Sequence, residues 1–226
     1  MSEWMFNSYD ISFDDEDEAK RFYDKLMECY KAKSPESVSW SRPWLGNVII
    51  GFGVDKWDDG TREFENKTFA AGCFSEEPDF DGITVTIKTE TKYDPDKFLW
   101  ETVVGMYSET AEVIYSAMHE NDSLLLTNDI DLTGRYIVDV QDEDVLKDLV
   151  GERRFNKIKE LLGNDTYCSD MSLEQVKKVA DVLKPGCSLM GTDFKSIIEN
   201  ESEYSIKVNA WEEEEFVLKE VSSFAD

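Results

Sequence analysis

Four runs of carboxylates stand out: Asp14-Asp15-Glu16-Asp17-Glu18, Glu76-Glu77-Pro78-Asp79, Asp142-Glu143-Asp144 and Glu212-Glu213-Glu214-Glu215. Ionised carboxylates only accept hydrogen bonds and pair well with lysine and arginine, so such runs suit recognition of a basic surface. Over 226 residues, 50 Asp and Glu stand against 24 Lys and Arg, a formal net charge of −26. That balance speeds encounter with basic proteins and disfavours nucleic acid and anionic membranes as direct partners.

Other chemistry is sparse. His119 is the single histidine, and the pattern sets it at a helix end, where an imidazolium suits the dipole. Asp129-Ile130-Asp131-Leu132-Thr133-Gly134 has the alternating oxygens of a calcium loop, but its twelfth position is Val140 instead of a bidentate Glu, so a polar turn is expected. Cys29, Cys73, Cys168 and Cys187 lack metal or redox spacing and read as buried small hydrophobes. Gly51-Phe52-Gly53 is too short for a phosphate loop and reads as a bend or bulge in a strand. No nucleophile elbow, P-loop or dinucleotide fingerprint is present. The expectation is therefore a protein without catalytic residues, cofactor or metal.

The acidic runs need elements to position them. Trp4 to Phe13 alternates large apolar side chains and predicts a strand, followed by a helix whose buried stripe is Ala19, Phe22, Tyr23, Leu26, Met27 and Tyr30, capped by Asp14 or Asp15. Ser37–Ser41, Asn47–Trp57 and Glu63–Phe74 read as extended, with Asp59-Gly60 as a hairpin turn, and Gly82–Tyr93 as a half-buried strand. Asp94-Pro95 is expected to open a long helix reaching about His119.

Beyond Glu120, strands are expected at Leu124–Thr127, Arg135–Val140 and Tyr204–Ala210. Helices are expected over Asp142–Leu162 (one broken or two short), Ser172–Lys184 with a Ser172/Gln175 capping box, Asp193–Glu199 and Glu212–Phe224. Tyr9–Phe13, Tyr136–Val140 and Tyr204–Val208 each lead into an acidic run and a predicted helix, which reads either as a weak β-to-α repeat or merely as the common way such units are written. The fold class is α+β: an antiparallel sheet packed by helices in an N-terminal domain over 1–119, and a smaller, more helical part over 120–226 that either has its own core or shares the first.

Acids at helix starts gain about 0.3–1 kcal/mol each from the dipole, but one or two suffice, and Asp14–Glu18 and Glu212–Glu215 exceed that need. Duplex DNA carries one charge per about 1.7 Å, so a charge of 26 matches about 44 Å of duplex. No single helix reaches that density: Asp14–Lys33 holds seven acids and five bases. Mimicry requires several acidic blocks on one face.

The expected function is an acidic, non-catalytic protein that occupies the basic surface of a nucleic-acid-binding protein or nuclease. By charge analogy this is the class of nucleic-acid-mimic inhibitors of the anti-restriction or anti-CRISPR type. The alternative is an adaptor or immunity-type protein that binds through an apolar patch, its acidity serving solubility. Trp40, Trp44 and Trp57 serve either the core or such a patch. Met1-Ser2-Glu3-Trp4 has no basic leader pattern and runs such as Val48-Ile49-Ile50 are too short to span a bilayer, so the cytoplasm is the expected compartment.

Overall fold

Strand β1 (Trp4–Ser12) shows why the opening residues alternate: Met5, Asn7, Tyr9 and Ile11 are buried, while Phe6 and Asp10 are exposed on the opposite side. The structure, a computed structural model, describes residues 4–34, 42–54, 72–92, 95–120, 124–183 and 205–218. Among these lie six helices and ten strands of an α+β fold. The chain divides into two compact units. Unit 1 comprises Met1–Asn121, Leu126–Asn128 and Glu214–Asp226; unit 2 comprises Asp122–Leu125 and Asp129–Glu213. In chain order, most of unit 2 is thus an insertion before the final segment of unit 1.

In unit 1, β1 pairs antiparallel with β4 (Thr84–Lys92) and β5 (Glu112–His119). The sheet continues through β6 (Leu125–Thr127) beside β5 and β2 (Gly72–Phe74) beside β4, with β3 (Asp79–Phe80) also paired to β4. Helices cover one face of the sheet. Helix α1 (Glu16–Lys31) buries Ala19, Phe22, Leu26, Met27 and Cys29, and Phe22 meets Phe13 with ring centroids 5.3 Å apart. Helix α3 (Lys97–Gly105) sets Trp100 against Tyr9 at 5.5 Å.

Asp15 caps α1: its carboxylate accepts a hydrogen bond from the Glu18 backbone N–H at 2.9 Å. Asp15→Ala leaves that first-turn donor without its partner and is expected to cost about 1 kcal/mol, read as a lower urea midpoint. An unchanged midpoint would show that the cap contributes nothing.

Three expectations are corrected. The segment read as extended over Asn47–Trp57 instead begins as helix α2 (Gly46–Phe52). Its β-branched residues suggested a strand, but Leu45, Val48, Ile49 and Phe52 are buried at three- and four-residue spacing, and packing overrides local preference. Gly51 is therefore no strand bend. It lies where α2 meets α1, and a Cβ there would sit 2.3 Å from the Cys29 sulfur, while Gly53 ends the helix at φ 72°.

The long helix expected to reach His119 stops at Gly105, and β5 follows. Val113, Tyr115, Ala117 and His119 point inward with period two, so His119 is a buried strand residue, not a helix end. The helix expected over Glu212–Phe224 is also absent from its described part: Glu212–Glu213 is strand β10 and residues 214–218 have no regular structure. Among the described residues, two of the three recurring strand-and-acid patterns continue into helices.

Unit 2 centres on β7 (Arg135–Val140), flanked antiparallel by β8 (Tyr167–Ser172) and β9 (Ile206–Ala210). Its core gathers Val138, Val140, Leu146, Phe155, Ile158, Met171, Val176, Val179 and Ile206. Helices α4 (Glu143–Val150), α5 (Glu152–Leu161) and α6 (Leu173–Leu183) agree with the expected positions, and the Ser172/Gln175 capping box is formed at 2.8 and 3.3 Å. Strand β8 was not foreseen. Ser37–Ser41, Asp59-Gly60, Trp40, Trp57, Cys187 and Asp193–Glu199 lie outside the described residues.

Candidate partner-binding surface

The face of the unit 1 sheet away from the helices is open. Cross-strand register places Asp79, Thr86, Asp10 and Ile114 in one row, and Thr84, Ser12 and Glu112 in the next. Thr86 donates to the Asp10 carboxylate at 2.7 Å. Beyond that end of the sheet, the Phe13 N–H donates to the Ile83 carbonyl at 3.1 Å, which brings Asp14 beside the β3–β4 turn. Tyr23 of α1 stacks on Phe80 at 4.9 Å, holding the first turns of α1 against the same turn.

The Asp14–Glu18 block and Asp79, distant in sequence, therefore share one end of unit 1. Asp14, Asp15, Glu16 and Asp17 are exposed and Glu18 is half-buried; Asp79 is exposed, with Asp10, Asp81 and Glu112 beside it. Adjacent strands lie about 4.8 Å apart, so these carboxylates fall within about one screening length of several neighbours at 0.1 M salt. Asp14, Glu16, Asp17 and Glu18 form no ion pair among the described residues. Asp81 is different: its carboxylate accepts from the Thr84 and Ile83 N–H groups at 2.8 and 3.1 Å, and these bonds hold its pKa below the usual carboxylate range.

The acids are interleaved with apolar side chains. Ile83 is 41% exposed and Ile114 50%, and Phe6, farther along the same open face, is 43%. Glu76 reaches back over this face to pair with Lys88 at 3.0 Å, while Glu77 is exposed. An exposed pair of that kind contributes about 0–1 kcal/mol.

Asp142, Glu143 and Asp144 belong to unit 2, where Asp142 caps α4 through the Val145 N–H at 3.0 Å and Glu143 pairs with Lys159 at 3.2 Å. Glu212 and Glu213 are exposed in β10, and Glu215 is exposed beyond it. Glu214 turns inward, accepting from the Tyr115 hydroxyl and pairing with Lys97 at 2.9 Å. It lies on the helix side of the sheet, since Tyr115 is buried against Tyr9 and Phe216.

Asp10, Asp81 and Glu112 belong to this surface although they lie outside the acidic runs of the sequence. Asp10 sits at an outward position of the β1 alternation, Asp81 precedes Gly82 in a turn, and Glu112 was hidden inside the expected helix. Trp44 is buried. The 129–134 segment is a turn in which Asp129 accepts from the Asp131 N–H at 2.8 Å.

Between α1 and α2 lies a cavity of about 320 Å³ lined by Lys25, Glu28, Cys29, Asn47, Ile50 and Gly51. Burial pushes the Cys29 thiol up to about 11, so it stays protonated near neutral pH and is a poor nucleophile. Among the described residues, no helix is long and apolar enough to cross a membrane. Comparison with protein-family models, curated proteins and solved structures returns no match to this chain.

Proposed function

We propose that this chain is an acidic, non-catalytic binding protein that occupies a basic nucleic-acid-binding surface of a partner protein and inhibits it. This is the mode of nucleic-acid-mimic inhibitors of the anti-restriction or anti-CRISPR type. The observation that carries the reading is the convergence of Asp14–Glu18 with Asp10, Asp79, Asp81 and Glu112 at one end of the unit 1 sheet. The reading places binding at that end: carboxylates pair with partner Lys and Arg, long-range attraction raises the association rate, and Ile83 and Ile114 supply apolar contact. It assigns the chain a basic protein partner in the cytoplasm and no cofactor.

A second reading rests on Phe6 and Ile114, both large and well exposed on the same open face. In it the chain is an adaptor or immunity-type protein, the apolar face binds and the acids maintain solubility. Affinity capture from lysate at about 0.1 M and 1 M salt, with mass spectrometry of the eluate, tests the first reading. The expected result is basic, nucleic-acid-binding proteins held at low salt and released at high salt. Recovery of no such protein would count against it.

A further inference from the structure

Residues 214–218 lie on unit 1 as a bound peptide would. Side chains alternate: Glu214 and Phe216 are half-buried, whereas Glu215 and Val217 are exposed, the period-two pattern of an extended segment docked on a surface. The Glu214 N–H donates to the Thr127 carbonyl at 2.8 Å. Its carboxylate takes the Tyr115 hydroxyl and Lys97, whose ammonium also donates to the Glu215 carbonyl at 2.6 Å. The Phe216 ring packs at 5.6 Å from Tyr115 and 6.3 Å from Tyr9. Finally, the Val217 N–H donates to the Glu101 carboxylate at 2.9 Å.

Glu101 makes this seat more than a resting place. It is only 4% exposed, and a buried carboxylate is tolerated where donors satisfy it. One of its donors belongs to the docked segment. Lys97, 3.8 Å from Glu101, likewise takes partners from that segment. Removing the segment takes one donor from Glu101 and two acceptors from Lys97, contacts that an occupant of the same kind restores.

We propose that Lys97, Glu101, Tyr115 and Tyr9 form a recognition site for an extended peptide. Its ligand carries a carboxylate two positions before an aromatic ring, followed by a free backbone N–H. The chain's own Glu214–Val217 fills the site, and the ligand the site takes in trans is the same segment of a second copy. Side-chain specificity resides at the first and third positions, while the second and fourth are read through the backbone, as in other extended-peptide recognition. This site is independent of the acidic end of the sheet.

The test uses the full chain carrying Glu214→Ala and Phe216→Ala together, with a fluorescent peptide of residues 211–218 as probe. The expected result is peptide binding by the variant at least about tenfold tighter than by the wild-type chain, whose own segment competes. A peptide with alanine for the phenylalanine should not bind. A folded variant that binds the peptide no better than wild type overturns the proposal. Should the double variant fail to fold, a protease site inserted after Glu213 in the otherwise unchanged chain decides. After cleavage the labelled peptide should replace the released segment, and failure to incorporate it overturns the proposal.

Discussion

Replacing Phe22 with alanine is expected to cost about 3–5 kcal/mol, a large share of the 5–15 kcal/mol typical of a folded domain. Phe22 is fully buried, and its ring meets Phe13 at 5.3 Å, Tyr107 at 5.5 Å and Phe52 at 5.8 Å. It therefore joins α1 to the end of β1, to α2 and to the turn after α3. Truncation removes the transfer free energy of the ring and leaves a cavity that three aromatic neighbours cannot easily close. With a urea slope of about 1–3 kcal/mol per molar, the midpoint should fall by more than about 1 M. A loss under about 1 kcal/mol would show that Phe22 is not the joint described. Phe13 directly precedes Asp14, so the same substitution should also loosen the acidic end.

The second large effect is expected on binding. Asp14→Lys, Asp17→Lys and Glu112→Lys together invert part of the acidic end while sparing the cap residue Asp15 and the hydrogen-bonded Asp79 and Asp81. All three positions are exposed. Removing Asp17 from the first turn costs about 0.3–1 kcal/mol of dipole interaction, too little to unfold a domain. Association with a basic partner should slow by about tenfold or more, because steering by a charged face raises on-rates by about 10–1000-fold. Circular dichroism should show the fold retained. If instead the triple variant binds normally while Phe6→Ser with Ile114→Ser abolishes binding, the apolar reading replaces the electrostatic one.

Much of this architecture was legible in the residues, and the failures share a cause. Where one face of an element is buried and the other wet, the pattern was readable: β1, β4, α1, α4, α5 and α6 all follow their alternation or their three- and four-residue stripes. It misled where local preference and burial disagree. Val48-Ile49-Ile50 favours a strand, yet α2 forms because its spacing fits the helical seat against α1. Glu212–Glu215 looks like a helix start, yet Glu214 and Phe216 turn inward together as in an extended segment, with Lys97, Glu101 and Tyr115 from distant positions as partners. Those partners could not be inferred from neighbours in the chain.

The acidic surface was half legible for the same reason. Runs of carboxylates identify Asp14–Glu18 and Asp79, but the strand register that sets Asp10 and Glu112 beside them is a long-range property. Glu214 shows the converse: charge in the sequence does not ensure charge on the surface. Among the described residues of unit 1, the concentrated charge is that at the end of β1.

The most direct test of the electrostatic account is the association rate of the chain with its captured basic partner, measured from about 0.1 M to 1 M salt. Over that range the screening length shrinks from about 10 Å to 3 Å. The account predicts a steep fall in association rate for the wild-type chain and a much shallower one for the Asp14→Lys, Asp17→Lys, Glu112→Lys variant. An association rate that does not change with salt would contradict it.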